Sequence, residues 1–415
     1  MDEITLQEVL DAREARASSQ RRLLASWGRP LLGLTMNIAG PVKRWPLVDF
    51  AFREGLRELR ERLGPAVLRE ELTDSPTGLE AILVCEKPAA ELKALAVELE
   101  TVRPAGRLYD LDVIGTDGCK LSREGQRTCL VCGGPVGPCA RSRAHGLDAI
   151  RAATEALLRE FAVERLGGLA VEALIREVDL TPKPGLVDRR NSGAHRDMDW
   201  ELFHRSARCL ESYFRRAVEL GLTQTACMPE LQRAGLEAEG VMLQATGGVN
   251  THKGAVYAFG IILAGLGSVL ARGGDLFETA ARLAAAGVPP AADTHGGEAK
   301  RLYGAVGARG EALSGFPHAR RACSLLEAHG GDPIPAFLTL LAEVDDTNLL
   351  HRGGPEGLRF VQKQAGEILA GPPEEYASRL EALDDACIAR NLSPGGCADL
   401  LALALLLYRT ADVWL

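Results

Sequence analysis

At 415 residues the chain exceeds one ordinary domain and is long enough to bury two sizeable cores. With 46% hydrophobic and 25% charged residues it reads as globular, and a formal net charge of -8 speaks against broad nucleic-acid binding. The charge is uneven: 21 Lys+Arg meet 21 Asp+Glu through Gly146, against 27 and 35 beyond it. A polyanion bound in the second part therefore needs local cations or metal ions.

In chain order, Leu6, Val9 and Leu10, then Leu23 and Leu24, fit an opening amphipathic helix. No basic stretch followed by an apolar run is seen there, so the expected location is cytoplasmic. Leu34, Met36 and Ile38 alternate with Thr35 and Asn37 as in a half-buried strand, which the Gly40-Pro41 turn ends. Ile82 to Cys85 is a short strand-like run. Gly106 to Gly115 alternates cleanly, with Tyr109, Leu111 and Val113 on one face and Asp110 and Asp112 on the other. These signals predict an α+β domain over residues 1–146. Beyond Gly146, Ile150, Leu157, Leu158 and Phe161 take helical spacing, and Ala/Leu-rich segments recur between short polar loops. An all-α domain over 147–415 is predicted. The longest uncharged stretch, Gly254 to Ala271, holds four glycines and reads as a buried helix of that domain, with no membrane partner.

Two residues apart on a strand, at about 3.3 Å rise each, Asp110 and Asp112 stand roughly 6–7 Å apart at the backbone. Carboxylates so placed can hold one or two Mg²⁺ ions that bridge to substrate phosphates. An isolated Asp-x-Asp is more often a solvated acidic strand. Here Arg103, Arg107, Arg123, Arg127, Arg141 and Arg143 flank it, and guanidinium groups suit phosphate oxygens.

Three blocks in this part, Asn37-Ile-Ala-Gly-Pro-Val-Lys43, Gly106-Arg-Leu-Tyr-Asp-Leu-Asp-Val-Ile114 and Arg127 through His145, resemble the citrate lyase holo-acyl-carrier-protein synthase family. Ala39 departs from the family's usual proline. The resemblance implies a nucleotidyltransferase-like domain that moves 5-phosphoribosyl-dephospho-CoA from a triphosphate precursor to a carrier-protein serine, releasing pyrophosphate. It also implies metal on Asp110 and Asp112, one of which takes the serine proton, and phosphates on Lys43, Arg107 and Arg127. The related transferase of malonate decarboxylase shares the pattern, which leaves the carrier open between the two.

Ten cysteines in a chain this long do not argue for disulfides. Six are scattered; Cys119, Cys129, Cys132 and Cys139 crowd together. Cys129-x2-Cys132-x6-Cys139 followed by His145 could supply a Cys₃His zinc site, or the thiols could simply pack a Gly/Pro-rich turn.

Five polar clusters interrupt the later helices. They are Thr181 to Asp199, Gly248 to Gly254, Thr294-His295-Gly296, Asp345 to Gly354, and Ser393 to Asp399. Each alone reads as a loop or cap. Together they place metal-type and phosphate-type residues at the ends of apolar helices, where helical domains build a polar site.

With Gly307 to Ala312, these blocks resemble the triphosphoribosyl-dephospho-CoA synthase family over residues 147–415. The family joins ATP to 3'-dephospho-CoA and expels adenine. No GxxxxGK[ST] loop occurs, which fits cleavage at the sugar's anomeric carbon. Residue types suggest Lys183, Arg189, Lys253, Arg352 and the Ser393 glycine loop on phosphate, and Asp188, Asp197, Asp199 and Asp346 on Mg²⁺. His252 or His295 would be the acid or base, and Asn250 and Asn348 would orient ribose hydroxyls. The partners implied are ATP, 3'-dephospho-CoA and the citrate lyase acyl carrier protein, its gamma subunit. A catalytically silent assembly scaffold and an ADP-ribose-type hydrolase are the competing readings.

Overall fold

Thr5 opens the first helix, α1 (Leu6–Trp27), with a capping box: its hydroxyl accepts from Glu8 N, and the Glu8 carboxylate accepts from Thr5 N at 2.7 Å. Gly28, left-handed at φ 59°, ends it. The structure is a computed structural model and describes residues 3–102, 104–123, 125, 127–224, 227–288 and 301–414. The chain forms two compact units, Met1–Ala162 and Val163–Leu415.

The first unit is built on an antiparallel sheet of four strands, β1 (Leu31–Met36), β2 (Val67–Ser75), β3 (Gly78–Cys85) and β4 (Tyr109–Ile114), in the order β2-β3-β1-β4. Helices α2 (Pro46–Leu63) and α3 (Ala89–Val102) cover one face. There Phe52, Leu56, Leu92 and Ala96 pack on Leu32, Leu34, Leu83, Leu111 and Val113. Leu23 of α1 packs on the other face, against Leu31, Ile82 and Val84. This is the expected mixture of helix and strand.

β1 begins three residues before its predicted start and ends before Ile38, because a central strand buried on both faces reads as the unbroken run Leu31-Leu32. β2 carries no apolar alternation in its half, Arg69-Glu-Glu-Leu-Thr-Asp-Ser75, and lies largely exposed at the sheet edge. After β4 come the short helix α4 (Val136–Ser142) and the long α5 (Leu147–Asp179). α5 starts where the composition changes, and the division between the units falls inside it.

Among the described residues, the second unit has no strand. Its early helices are α6 (Trp200–Cys209), α7 (Glu211–Thr223), α8 (Met228–Ala245), α9 (Lys253–Arg272) and α10 (Leu276–Ala286). α9 is long and apolar enough to cross a membrane, yet 78% of its apolar window is buried within this unit. It packs against α7, α8, α10 and the late helix Gly395–Arg409. Small residues allow close approach: Gly267 of α9 and Gly221 of α7 each meet backbone of the other helix. The helix Thr347–Leu369 is broken at Gly354 (φ 61°), just before Pro355. His295 and its Thr294-His295-Gly296 block lie outside the described residues.

Candidate active sites

In the first unit β4 alternates as its sequence requires, so Asp110 and Asp112 share the half-buried face. Asp112 meets Lys120 at 2.6 Å, and Asp110 lies 3.7 Å from Arg127. Beside them opens a cavity of about 790 Å³ that Arg107, Arg123, Arg127 and Arg143 line.

The buried carboxylate of Glu100, from the end of α3, organises its cations. Its two oxygens accept from Arg123 at 3.0 Å and Arg127 at 2.5 Å, and Oε1 also accepts from Leu111 N. Arg107 donates to the carbonyls of Thr128 and Cys129 and to the Thr128 hydroxyl. A guanidinium group so tethered keeps free N–H groups for an anion at little entropic cost.

Arg127 thus links the cavity to Asp110. Asp110, Asp112 and Lys43 lie outside the lining. Lys43 donates to the carbonyl of Ile38 in its own loop, and burial lowers its pKa. Glu100 carried no signal in the sequence, because its two counterions lie 23 and 27 residues downstream.

In the second unit one cavity of about 1120 Å³ gathers four of the five polar clusters. The N-terminal residues of three helices line it: Lys253-Gly254 of α9, Thr347-Asn348, and Gly395-Gly396. Their dipole ends favour an anion, while Asn250 and Asp346 accept the amides of Lys253 and Asn348 at two of them. Of the residues singled out in the sequence, Asn250, His252, Lys253, Asp197, Asp346, Asn348, Arg352 and Ser393 line this cavity.

His252 Nδ1 is 2.8 Å from Ser206 Oγ, while its buried Nε2 has no hydrogen-bond partner. Burial, then the charge of Lys183, pushes its pKa down to about 3, so the ring is neutral. Asp346 caps its helix, accepting from Asn348 N and Leu349 N, and also takes Cys397 N at 2.8 Å. Burial still raises its pKa.

Asp399 lies beside it with no hydrogen-bond partner among the described residues. Burial, Glu177 and Asp346 push it well above the usual carboxylate range. A Cβ on Gly254 would fall 2.1 Å from Asp399 Oδ2, so this carboxylate abuts the first turn of α9. His195 joins two further groups, with Nε2 2.9 Å from Ser393 Oγ and Nδ1 3.3 Å from Arg352. Asp399 and His195 stood within the noted blocks but resembled loop residues. Glu177 looked like one more charge on a helix.

Four expected residues stand elsewhere, each for a local reason. Lys183 is buried and paired with Glu177 at 2.5 Å, behind the cavity wall. Asp188 accepts from the amides of Lys183, Arg190 and Asn191, holding its own loop closed. Asp199 caps α6 through Leu202 N. Arg189 is mostly exposed, pairs with Asp179 and lies over the Trp200 ring. None of these four lines the cavity.

Comparison with known proteins agrees with the two-unit division. The family model for apo-citrate lyase phosphoribosyl-dephospho-CoA transferase matches residues 4–161, and that for ATP:dephospho-CoA triphosphoribosyl transferase matches residues 163–414. Protein CitXG of Haemophilus influenzae is 36% identical, over 97% of this chain and 95% of its own length. The 2-(5''-triphosphoribosyl)-3'-dephosphocoenzyme-A synthase of Pectobacterium atrosepticum is 44% identical, over 57% of this chain and 86% of its own. The probable 2-(5''-triphosphoribosyl)-3'-dephosphocoenzyme-A synthase 1 of Salmonella typhimurium is 42% identical, over 58% of this chain and 89% of its own. The chain therefore belongs to the triphosphoribosyl-dephospho-CoA transferase family, carried as a fusion behind a domain of the apo-citrate lyase phosphoribosyl-dephospho-CoA transferase family.

Proposed function

We propose that the chain performs two consecutive transfers. The second unit makes 2'-(5''-triphosphoribosyl)-3'-dephospho-CoA from ATP and 3'-dephospho-CoA, releasing adenine. The first unit passes the phosphoribosyl-dephospho-CoA group to a serine of the citrate lyase acyl carrier protein, the gamma subunit, releasing pyrophosphate.

The observation that carries this reading is the convergence of three helix N-termini, Lys253, Arg352 and the carboxylates of Asp346 and Asp399 on one cavity roomy enough for two nucleotides. In the first step the dephospho-CoA 2'-hydroxyl attacks the anomeric carbon of the ATP ribose while the bond to adenine breaks. The hydroxyl's proton goes to a base, for which the neutral ring of His252 offers Nε2. An incoming triphosphate brings negative charge that raises the basicity of this imidazole. Asn250 and Asn348, which line the cavity, would orient hydroxyls, and Arg352 would meet phosphate.

Asp346 and Asp399 suit a magnesium ion: both are oxygen donors on the cavity wall, and burial raises the pKa of each. Bound there, Mg²⁺ would neutralise triphosphate oxygens. Asp197 also lines this cavity; Lys183, Asp188, Asp199 and Arg189 support the site's frame.

In the second step the serine oxygen attacks the phosphorus nearest the ribose, and pyrophosphate departs. The arginine cavity receives the phosphates, while Asp110 and Asp112 face one way, as a nucleotidyltransferase-like metal pair would. One of them takes the serine proton.

Incubation with ATP, Mg²⁺ and dephospho-CoA is expected to release adenine. Adding apo-carrier should give a protein heavier by one prosthetic group. Release of ADP in place of adenine, or base release without dephospho-CoA, would overturn the reading.

A further inference from the structure

We propose that Cys129, Cys132, Cys139 and His145 bind one structural Zn²⁺ ion that braces the arginine cavity of the first unit. One ligand atom from each lies within 4.8 Å of all the others. Cys132 Sγ and Cys139 Sγ are 3.6 Å apart, close to the edge of about 3.8 Å expected for a tetrahedron with Zn–S bonds of roughly 2.3 Å. At that separation the pair is not a disulfide.

The backbone is shaped for such a centre. Cys129-Leu-Val-Cys132-Gly133-Gly134 folds into a tight knuckle. Gly133 is left-handed at φ 73°, Gly133 N donates to Cys129 O at 3.0 Å, and Cys129 N donates to Gly134 O at 2.6 Å. The amides of Val131 and Cys132 point at the Cys129 sulfur. Cys139 comes from α4. Arg143, left-handed at φ 50°, ends that helix, and Ala144 N turns back onto Cys139 O at 3.1 Å, which returns His145 to the three sulfurs.

Two observations call for a ligand. His145 Nε2 is buried and has no hydrogen-bond partner, a costly state that a metal bond relieves. The second concerns packing. α4 contributes no buried residue, so this helix lacks an apolar core to hold it in place.

Four protein ligands close the coordination sphere, so the ion is structural. Its consequence is positional. Arg107 is tethered to the carbonyls of Thr128 and Cys129, and Cys129, Cys139 and His145 line the same cavity as Arg127 and Arg143. Without the ion the cavity wall loses its staple.

The test is metal analysis of the full chain purified under reducing conditions, beside Cys132→Ser and Cys139→Ser variants. One equivalent of zinc is expected, lost in both variants together with carrier labelling, while adenine release by the second unit persists and reports a folded chain. Replacement by Co²⁺ should yield the visible bands of a tetrahedral thiolate site even if a variant folds poorly. Metal content does not depend on the proposed reactions; only the labelling readout does. A metal-free chain that refuses zinc and cobalt, a Cys132–Cys139 disulfide in the active protein, or zinc retained in both variants would each overturn the proposal.

Discussion

His252 concentrates the chemistry of the second unit in one ring. Its folded pKa of about 3 lies below its ordinary value of 6.5. A group depressed in this way stabilises the fold fully above pH 6.5 and loses that contribution as pH falls towards its folded value. Melting temperature measured across this window should therefore drop more steeply for the natural chain than for His252→Gln. The same variant keeps a hydrogen-bonding group beside Ser206 yet offers no base, so adenine release should fall about 100-fold or more. Unchanged release at neutral pH would remove His252 from the reaction. Asp399 has the opposite sign. Its raised pKa means that its contribution to stability is present at acid pH and lost as pH rises, the cost that a bound cation offsets.

At the scale of elements, the first turn of α9 fixes where that carboxylate stands. Gly254→Ala would push a methyl group against Asp399 Oδ2, a clash that costs about 1–3 kcal/mol and displaces the carboxylate. Reduced thermal stability and loss of adenine release are expected together. Gly240→Ala, in α8 with open space around it, should instead stabilise by about 0.5–1 kcal/mol and leave turnover intact.

Legibility divides along similar lines. The faces of β4 and the apolar helices were readable because burial follows a short period. The loops announced a polar rim, but not which carboxylate faces it. Asp188 and Asp346 both sit in polar stretches between helices, and both accept backbone amides. Only packing places one on the cavity and the other behind it. Lys183, set between two prolines like an exposed turn, is buried because Glu177 neutralises it. That partner belongs to the preceding helix, and nothing local reveals the pairing.

For the whole molecule, two sites on one chain imply an intermediate that leaves one and enters the other. A chain carrying Asp110→Ala should still make the triphosphoribosyl compound, and one carrying His252→Gln should still consume it. Mixed, the two should label apo-carrier after a lag, whereas neither does so alone; mass analysis of the carrier over time checks this. The natural chain should outpace the mixture at low protein concentration, since tethering raises the effective concentration of the second site. The grip of Glu100 on Arg123 and Arg127 bears on what may enter that site. Two of the four guanidinium groups already share this one carboxylate, which offsets part of their charge, so a lone inorganic phosphate finds less unspent attraction there. A molecule carrying several linked phosphates can engage all the arginines at once and prevail over the resident carboxylate. The first unit can thus ignore abundant simple anions and stay open for the one long polyphosphate that matters.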